Sequence, residues 1–250
     1  MSLGEVLIEK PHKTVYRDGG RVIKVFGEGY TKAGVLNEAL NQARVEDIGL
    51  NVPKVLEVAM YDGKWAIVGE YIEGRTIAQL IADGPKDRDR LIERMVGLQI
   101  EMHGKRAEHL NRLQEQLHGK ISACSPYLNE GVRYELHMRL NSMQKHAKVC
   151  HGDFCPENVI ITKDDKAYIL DWAHASQGNA SADAAQTYLL YFLHGDLETA
   201  GLYLDCFCRM SGIDLQLVKA WLPIIAAARL TLGRAEEREL LLSWTNVHFE

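Results

Sequence analysis

Apolar and polar positions alternate early in the chain and then recur at helical spacing for most of its length. Residues 14–17 and 21–26 flank Asp18-Gly19-Gly20, a hairpin signal because glycine reaches the positive φ angles of tight turns. Over 35–47, Leu36, Ala39, Leu40 and Ala43 are spaced for a helix. Residues 54–60 and 64–71 then flank a second turn at Tyr61-Asp62-Gly63. After Ile72 the period changes. Thr76 is placed to cap a short helix that stops at Asp83-Gly84-Pro85. Leu91, Met95, Leu98 and Met102 mark one face of a long helix, and Leu110, Leu113 and Leu117 mark the next. Such stripes are core faces. A further hairpin, 159–162 with 167–170, interrupts this helical half. The pattern predicts an α+β chain. Residues 1–72 form a small antiparallel sheet of four or five strands with one helix, and residues 73–250 form a larger, mostly helical part.

Composition changes this picture little but excludes several classes. At 46% hydrophobic and 25% charged, the 250 residues have the make-up of an ordinary globular protein. No apolar run approaches a membrane span and no secretory signal opens the chain, so a cytoplasmic location without a membrane partner is expected. Five cysteines (Cys124, Cys150, Cys155, Cys206, Cys208) at no disulfide-like spacing read as reduced thiols. A net charge of −5 and a pI of about 6.1 argue against nucleic acid as a partner and would suit a cationic substrate. Monomer and homodimer both remain open.

The densest polar cluster is His151-Gly152-Asp153-Phe154-Cys155-Pro156-Glu157-Asn158, followed by Ile169-Leu170-Asp171. Phosphoryl transfer needs a carboxylate to orient the attacking hydroxyl and accept its proton, together with oxygen ligands for Mg²⁺. Mg²⁺ keeps several waters, so one Asn and one Asp suffice. Asp153 falls in a loop, Asn158 at the mouth of the hairpin, and Asp171 at its far end, which returns it beside Asn158. An isolated His-Gly-Asp is more often a plain loop pair; the spacing to Asn158 and Asp171 reverses that preference. A zinc site on Cys150, His151 and Cys155 lacks a second Cys/His pair at zinc spacing.

The N-terminal part supplies matching groups. Lys24 shares a strand face with Val22 and Phe26, where an ammonium is costly unless something anionic meets it. Glu38 in the following helix is the candidate partner, with Glu46 and Asp47 as competitors near that helix's end. Glu70-Tyr71-Ile72 leads out of the last strand, and the backbone at Glu70 and Ile72 is the candidate adenine contact. Lys13 to Gly20 would have to cover the phosphates, although it is neither G-x-G-x-x-G nor a Walker motif.

At these residues the sequence resembles the aminoglycoside phosphotransferase and choline kinase family, which has a bilobal protein-kinase-like fold. The resemblance rests on the run Val149 to Ile160, on Ile169-Leu170-Asp171-Trp172, and on Gly178 to Asp183. It also rests on Lys24, Asn37-Glu38 and the run Gly49 to Leu56. It implies ATP, with GTP open, and Mg²⁺ as cofactors, and a small-molecule hydroxyl compound (aminoglycoside, amino alcohol or sugar-like) as acceptor. It further implies Asp153 as base, Asn158 and Asp171 as Mg²⁺ ligands, and His151 bracing the loop. Lys24 would hold phosphates, Glu38 would orient Lys24, and Asp183 would anchor the loop backbone.

Departures bear on the acceptor. Asp171-Trp172-Ala173 stands where protein kinases have D-F-G, and residues 172–182 leave little room for a regulated activation loop. That points away from a Ser/Thr protein kinase. Retention of Lys24, Asp153, Asn158 and Asp171 together argues against an inactive nucleotide-binding module. For an amine acceptor, Trp172, Tyr188, Tyr191, Trp221 and Trp244 are candidate cage residues, and Asp196, Asp205 and Glu236 candidate ion partners.

Overall fold

The computed structural model of the protein describes residues 3–245. The chain opens with β1 (Glu5–Lys10), β2 (Lys13–Asp18), β3 (Arg21–Phe26), α1 (Lys32–Asp47), β4 (Val55–Tyr61) and β5 (Lys64–Glu70). It continues through β6 (Gly74–Thr76), α2 (Ile77–Asp83), α3 (Arg88–His103), α4 (Leu113–Ala123), α5 (Glu130–Ser142) and β7 (Lys148–Cys150). The hairpin β8 (Val159–Thr162) and β9 (Ala167–Ile169) follows, then β10 (Ser176–Gly178) and α6 (Ala180–Leu193). The last helices are α7 (Leu197–Ser211), α8 (Leu215–Lys219), α9 (Leu222–Leu230) and α10 (Arg238–Thr245). The expected α+β class is the observed one.

By contact the chain groups into two units. The first takes the chain up to Pro85 together with Pro156–Ala175; the second takes Lys86–Cys155 and the chain from Ser176. A boundary was expected from the sequence after Ile72. The first unit reaches further: β6 pairs antiparallel with β8, and the β8–β9 hairpin is tied to the N-terminal part by Ile169 N–H donating to Asn51 O at 3.0 Å.

In the first unit the five-stranded sheet runs β1-β2-β3-β5-β4, antiparallel throughout. One face packs Ile23, Val25, Ala66 and Val68; the other packs Phe26 and Ile67 against Val35 and Ala39 of α1. Two elements differ from the sequence expectation. β1 was not anticipated: it is an edge strand exposed along its whole length, so no buried alternation marks it. Helix α1 is rotated relative to the Leu36/Leu40 stripe. Those two leucines are exposed, and the buried positions are Val35, Glu38, Ala39, Asn41 and Val45. The face carrying Glu38 is the one turned to the sheet, and Asn41 Nδ2 donates to Ala173 O at 3.3 Å.

The second hairpin sheet is tightly fitted. A Cβ on Gly74 would lie 2.5 Å from both Ile160 Cγ2 and Ile161 O. Gly74→Ala should therefore destabilise the protein by about 1–3 kcal/mol, the range for overpacking, read as a lower urea midpoint with unchanged m-value. Thr76 caps α2 as expected, in a reciprocal box with Gln79.

The second unit is helical around the short β7–β10 ladder, in which Ser176 faces Cys150 and Gly178 faces Lys148. Its core holds the buried face of α3, the α6–α7 pair and the alanine-rich α9, whose Arg229 is buried in a bidentate pair with Glu237 at 2.6 and 2.7 Å. Among the described residues no helix is long and apolar enough to cross a membrane.

Candidate active site

In the first unit, β-sheet register decides what meets what. Lys24 on β3 pairs with Val15 on β2, and Lys13 pairs with Phe26, so Lys13, Val15, Lys24 and Phe26 share the sheet face that α1 covers. From α1, Glu38 reaches the Lys24 ammonium in a short ion pair, which selects it over Glu46 and Asp47. The hairpin β8–β9 delivers Asp171: Val159 pairs with Ile169, and Leu170 N–H donates to Asn158 O at 2.8 Å. Asn158 and Asp171 thus flank the open end of one hairpin, as their spacing predicts.

Asp171 has φ 60° and ψ 66°, the left-handed region. Aspartate tolerates this conformation better than most residues, but it costs on the order of 1 kcal/mol and is typical of functional sites. Its carboxylate accepts from two lysines, Lys24 Nζ to Oδ1 at 3.0 Å and Lys13 Nζ to Oδ2 at 2.9 Å. Burial presses the Asp171 pKa upward, but Lys24 and then Lys13 outweigh it and hold the carboxyl well below the usual carboxylate range. Burial also opposes the charge on Lys24; Asp171 and Glu38 overcome it and raise the ammonium's pKa. The two partners agree on an ionised pair.

Lys13 was not singled out from the sequence. Burial, then the neighbouring Lys24, lower its pKa against the pull of Asp171. A lysine immediately after the turn at Pro11-His12 was the available signal. It was missed because, without β1, that turn could not be seen as a hairpin tip. The expected hairpin of 14–17 with 21–26 is β2 and β3, and a further hairpin tip, residues 11–12 between β1 and β2, precedes Lys13.

At the other end of the sheet, Glu70 N–H donates to Lys54 O and Tyr71 N–H to Gly20 O, both at 2.9 Å. Ile72 is buried. A ligand contact from this segment therefore falls to its carbonyls or to the Ile72 backbone.

In the second unit, β7 ends at Cys150 and the loop His151-Gly152-Asp153 follows. His151 is fully buried, its ring edge-on to Phe154 at 5.7 Å between centroids. Its Nδ1 accepts from Asp153 N–H at 3.1 Å, so the histidine holds the loop's backbone. The loop is tied a second time by Asp183 of α6, whose Oδ1 accepts Gly152 N–H at 2.8 Å. Asp183 Oδ2 accepts from His103 Nε2 at 2.9 Å and Gln99 Nε2 at 3.1 Å, and Gln99 Oε1 accepts from Tyr203 Oη at 2.6 Å. Burial pushes the Asp183 carboxyl up; the hydrogen bond and charge of His103, then Gly152 N–H, bring it below its ordinary value. Gln99 and His103 are buried partners that the apolar stripe on α3 concealed, and Tyr203 of α7 joins them.

Other candidates sort differently. The Cys150 thiol is fully buried and pushed well above its ordinary pKa, first by burial and then by Asp183, which keeps its proton on and makes it a poor zinc ligand. Among the described residues no group of three or more His, Cys, Asp or Glu side chains is placed to hold a metal. The five aromatics do not make a cage. Trp172 is a core residue of the first unit, its indole N–H donating to Ile169 O at 3.0 Å. Tyr191 is buried, and Tyr188 stacks on Trp244 at 6.1 Å. Trp221 is also mostly buried and lines a cavity of about 500 Å³ with His118, Asn141, His146 and Asn179. Asp196 is spent capping α7, accepting from Thr199 N–H at 3.0 Å, while Asp205 and Glu236 are exposed.

Residues 12–221 match the model of the phosphotransferase enzyme family. No curated protein matches the chain. Among solved structures, an aminoglycoside-3'-phosphotransferase of type VIII is 17% identical with a TM-score of 0.69, over 91% of this chain and 94% of that one. A thermostable mutant of aminoglycoside phosphotransferase APH(4)-Ia, in a ternary complex with AMP-PNP and hygromycin B, is 13% identical with a TM-score of 0.69, over 98% and 90%. The choline kinase LicA from Streptococcus pneumoniae is 18% identical with a TM-score of 0.62, over 100% and 90%. These likenesses fix the fold as the one shared by aminoglycoside and choline kinases. With the sheet, the lysine–glutamate–aspartate chain and the family match together, this chain belongs to the phosphotransferase enzyme family.

Proposed function

We propose that the chain is a small-molecule kinase that transfers the γ-phosphate of ATP, or of GTP, to a hydroxyl of an aminoglycoside, amino alcohol or sugar-like acceptor. The observation that carries the proposal is the ion chain Glu38–Lys24–Asp171 in the first unit. A buried lysine held between two carboxylates is costly to build for stability alone. It is the arrangement a nucleotide-phosphate site needs.

In this reading the acceptor hydroxyl is oriented by Asp153, which takes its proton as the bond to the phosphoryl group forms. His151 and Asp183 position Asp153 by fixing the loop's backbone. Lys24, oriented by Glu38, meets the phosphates. The amide oxygen of Asn158 and the ionised carboxylate of Asp171 are hard oxygen donors on one hairpin, a set that fits Mg²⁺ with water completing its shell. Magnesium held by these two residues would neutralise the charge that develops on the transferring phosphate. The adenine would meet the backbone of Glu70 to Ile72. The short segment 172–182 favours a small acceptor over a protein.

The test is an ADP-release screen with MgATP and MgGTP over amino alcohols, sugars, aminoglycosides and nucleosides, beside a thermal-shift titration with each nucleotide. Stabilisation by nucleotide and release with at least one acceptor class are expected. Absence of any thermal response to either nucleotide would end the kinase reading, and phosphorylation of generic proteins alone would move the acceptor to protein.

A further inference from the structure

Lys13 stands outside the roles just assigned, yet it reaches the same carboxylate as Lys24. It is the first residue of β2, directly after Pro11-His12, and it pairs back to Lys10 on β1 and across to Phe26 on β3. Its ammonium lies 2.9 Å from Asp171 Oδ2, while Lys24 takes Oδ1. Two cations therefore share one anion. Lys24 has a second acid in Glu38; the acid recorded for Lys13 is Asp171.

The hairpin tip explains why a side chain is needed here. Glycine-rich loops cradle phosphates with successive backbone N–H groups. This tip has Pro11, which has no N–H, and His12, whose carbonyl is committed to Gly27 N–H at 2.8 Å. Pro11 removes one backbone donor where a phosphate loop would offer it, and a lysine stands just after the tip. Charge accounting makes the same point. Lys13, Lys24, Glu38 and Asp171 sum to zero as they stand. A divalent cation on Asp171 would repel the Lys13 ammonium at close range, and that partly buried charge then needs another anion.

We propose that Lys13 is a phosphate-binding residue of the nucleotide site, whose ammonium exchanges the Asp171 carboxylate for the nucleotide's terminal phosphates when a divalent cation takes that carboxylate. The proposal rests on Asp171 being the cation ligand of the kinase reading. Lys13 thus does in this chain, with a side chain, what glycine-rich loops do with backbone.

The experiment compares wild type with Lys13→Met and Lys13→Gln by calorimetric titration of MgATP, MgADP and adenosine, and by Mn²⁺ titration of the nucleotide-free proteins followed by electron spin resonance. Thermal unfolding checks that each variant is folded. MgATP affinity should fall about tenfold in both variants, adenosine affinity should stay unchanged, and Mn²⁺ affinity should rise several-fold. Opposite signs for nucleotide and metal are not produced by a merely structural lysine. MgATP binding within about twofold of wild type, or Mn²⁺ binding no tighter in either folded variant, would overturn the proposal and leave the kinase reading intact. A wild type that binds no nucleotide at all would overturn both.

Discussion

Asp153→Asn is expected to lower phosphoryl transfer by about 10³-fold, within the range of a lost general base, while MgATP affinity changes by less than about twofold. The amide has the size and shape of the carboxylate but cannot accept the hydroxyl proton. Two ties of the loop do not use the changed group: Asp153 N–H still donates to His151 Nδ1, and Gly152 N–H still donates to Asp183. The candidates Lys24 and Asp171 are paired with each other in the other unit. The measurement is kcat with the best acceptor from the screen, paired with nucleotide titration and thermal unfolding. Unchanged turnover would remove Asp153 from the chemistry. A matching loss of nucleotide affinity would instead mark it as part of the nucleotide site.

What could be read in the sequence followed how locally each group is specified. His151, Asp153 and Asn158 lie in one run, and a single hairpin returns Asp171 to Asn158, so their grouping needed only turn logic. Lys24 was found because an ammonium on an apolar strand face must be explained. Lys24 does pair with Glu38, and of the apolar stripe assigned to α1 Ala39 is buried against the sheet while Leu36 and Leu40 face outward. There a polar contact, Glu38 to Lys24, sets which face turns inward, and a hydrophobicity pattern does not register it. β1 escaped because an exposed edge strand has no buried side to produce alternation, and with it went the hairpin tip and Lys13. Gln99 and His103, four residues apart on the buried face of α3, were hidden by the apolar residues around them. A polar pair at helical spacing within a core stripe was the available sign of a buried partner. The aromatics misled for the opposite reason, since composition names a cage only when exposure is known.

Asp183→Ala should cost about 3–5 kcal/mol of stability, the range for removing one partner of a buried charged network. It should also loosen the loop that carries Asp153. The carboxylate is almost wholly buried and is the shared acceptor for Gly152 N–H, His103 Nε2 and Gln99 Nε2. Alanine leaves these donors facing a small cavity with nothing to accept them. Asp183→Asn should cost less, because its amide oxygen still accepts one or two of them, but its NH₂ meets a donor. The two variants also separate by pH. The folded-state pKa of Asp183 lies below its ordinary value, so its ionised form contributes stability that is fully present above the unfolded carboxylate value of about 3.9. That contribution is lost as pH falls through the depressed folded value. The gap in unfolding free energy between wild type and Asp183→Asn should therefore be constant near neutrality and narrow as pH falls below the unfolded value. Urea unfolding at a series of pH values measures the gap, and hydrogen exchange at Gly152 measures the loop. A gap that is small at neutral pH, or that widens in acid, would mean that the loop is held by His151 alone. Slow exchange at Gly152 in Asp183→Ala would mean the same. Asp183 would then be a bystander to the loop that carries Asp153, although it lies next to it.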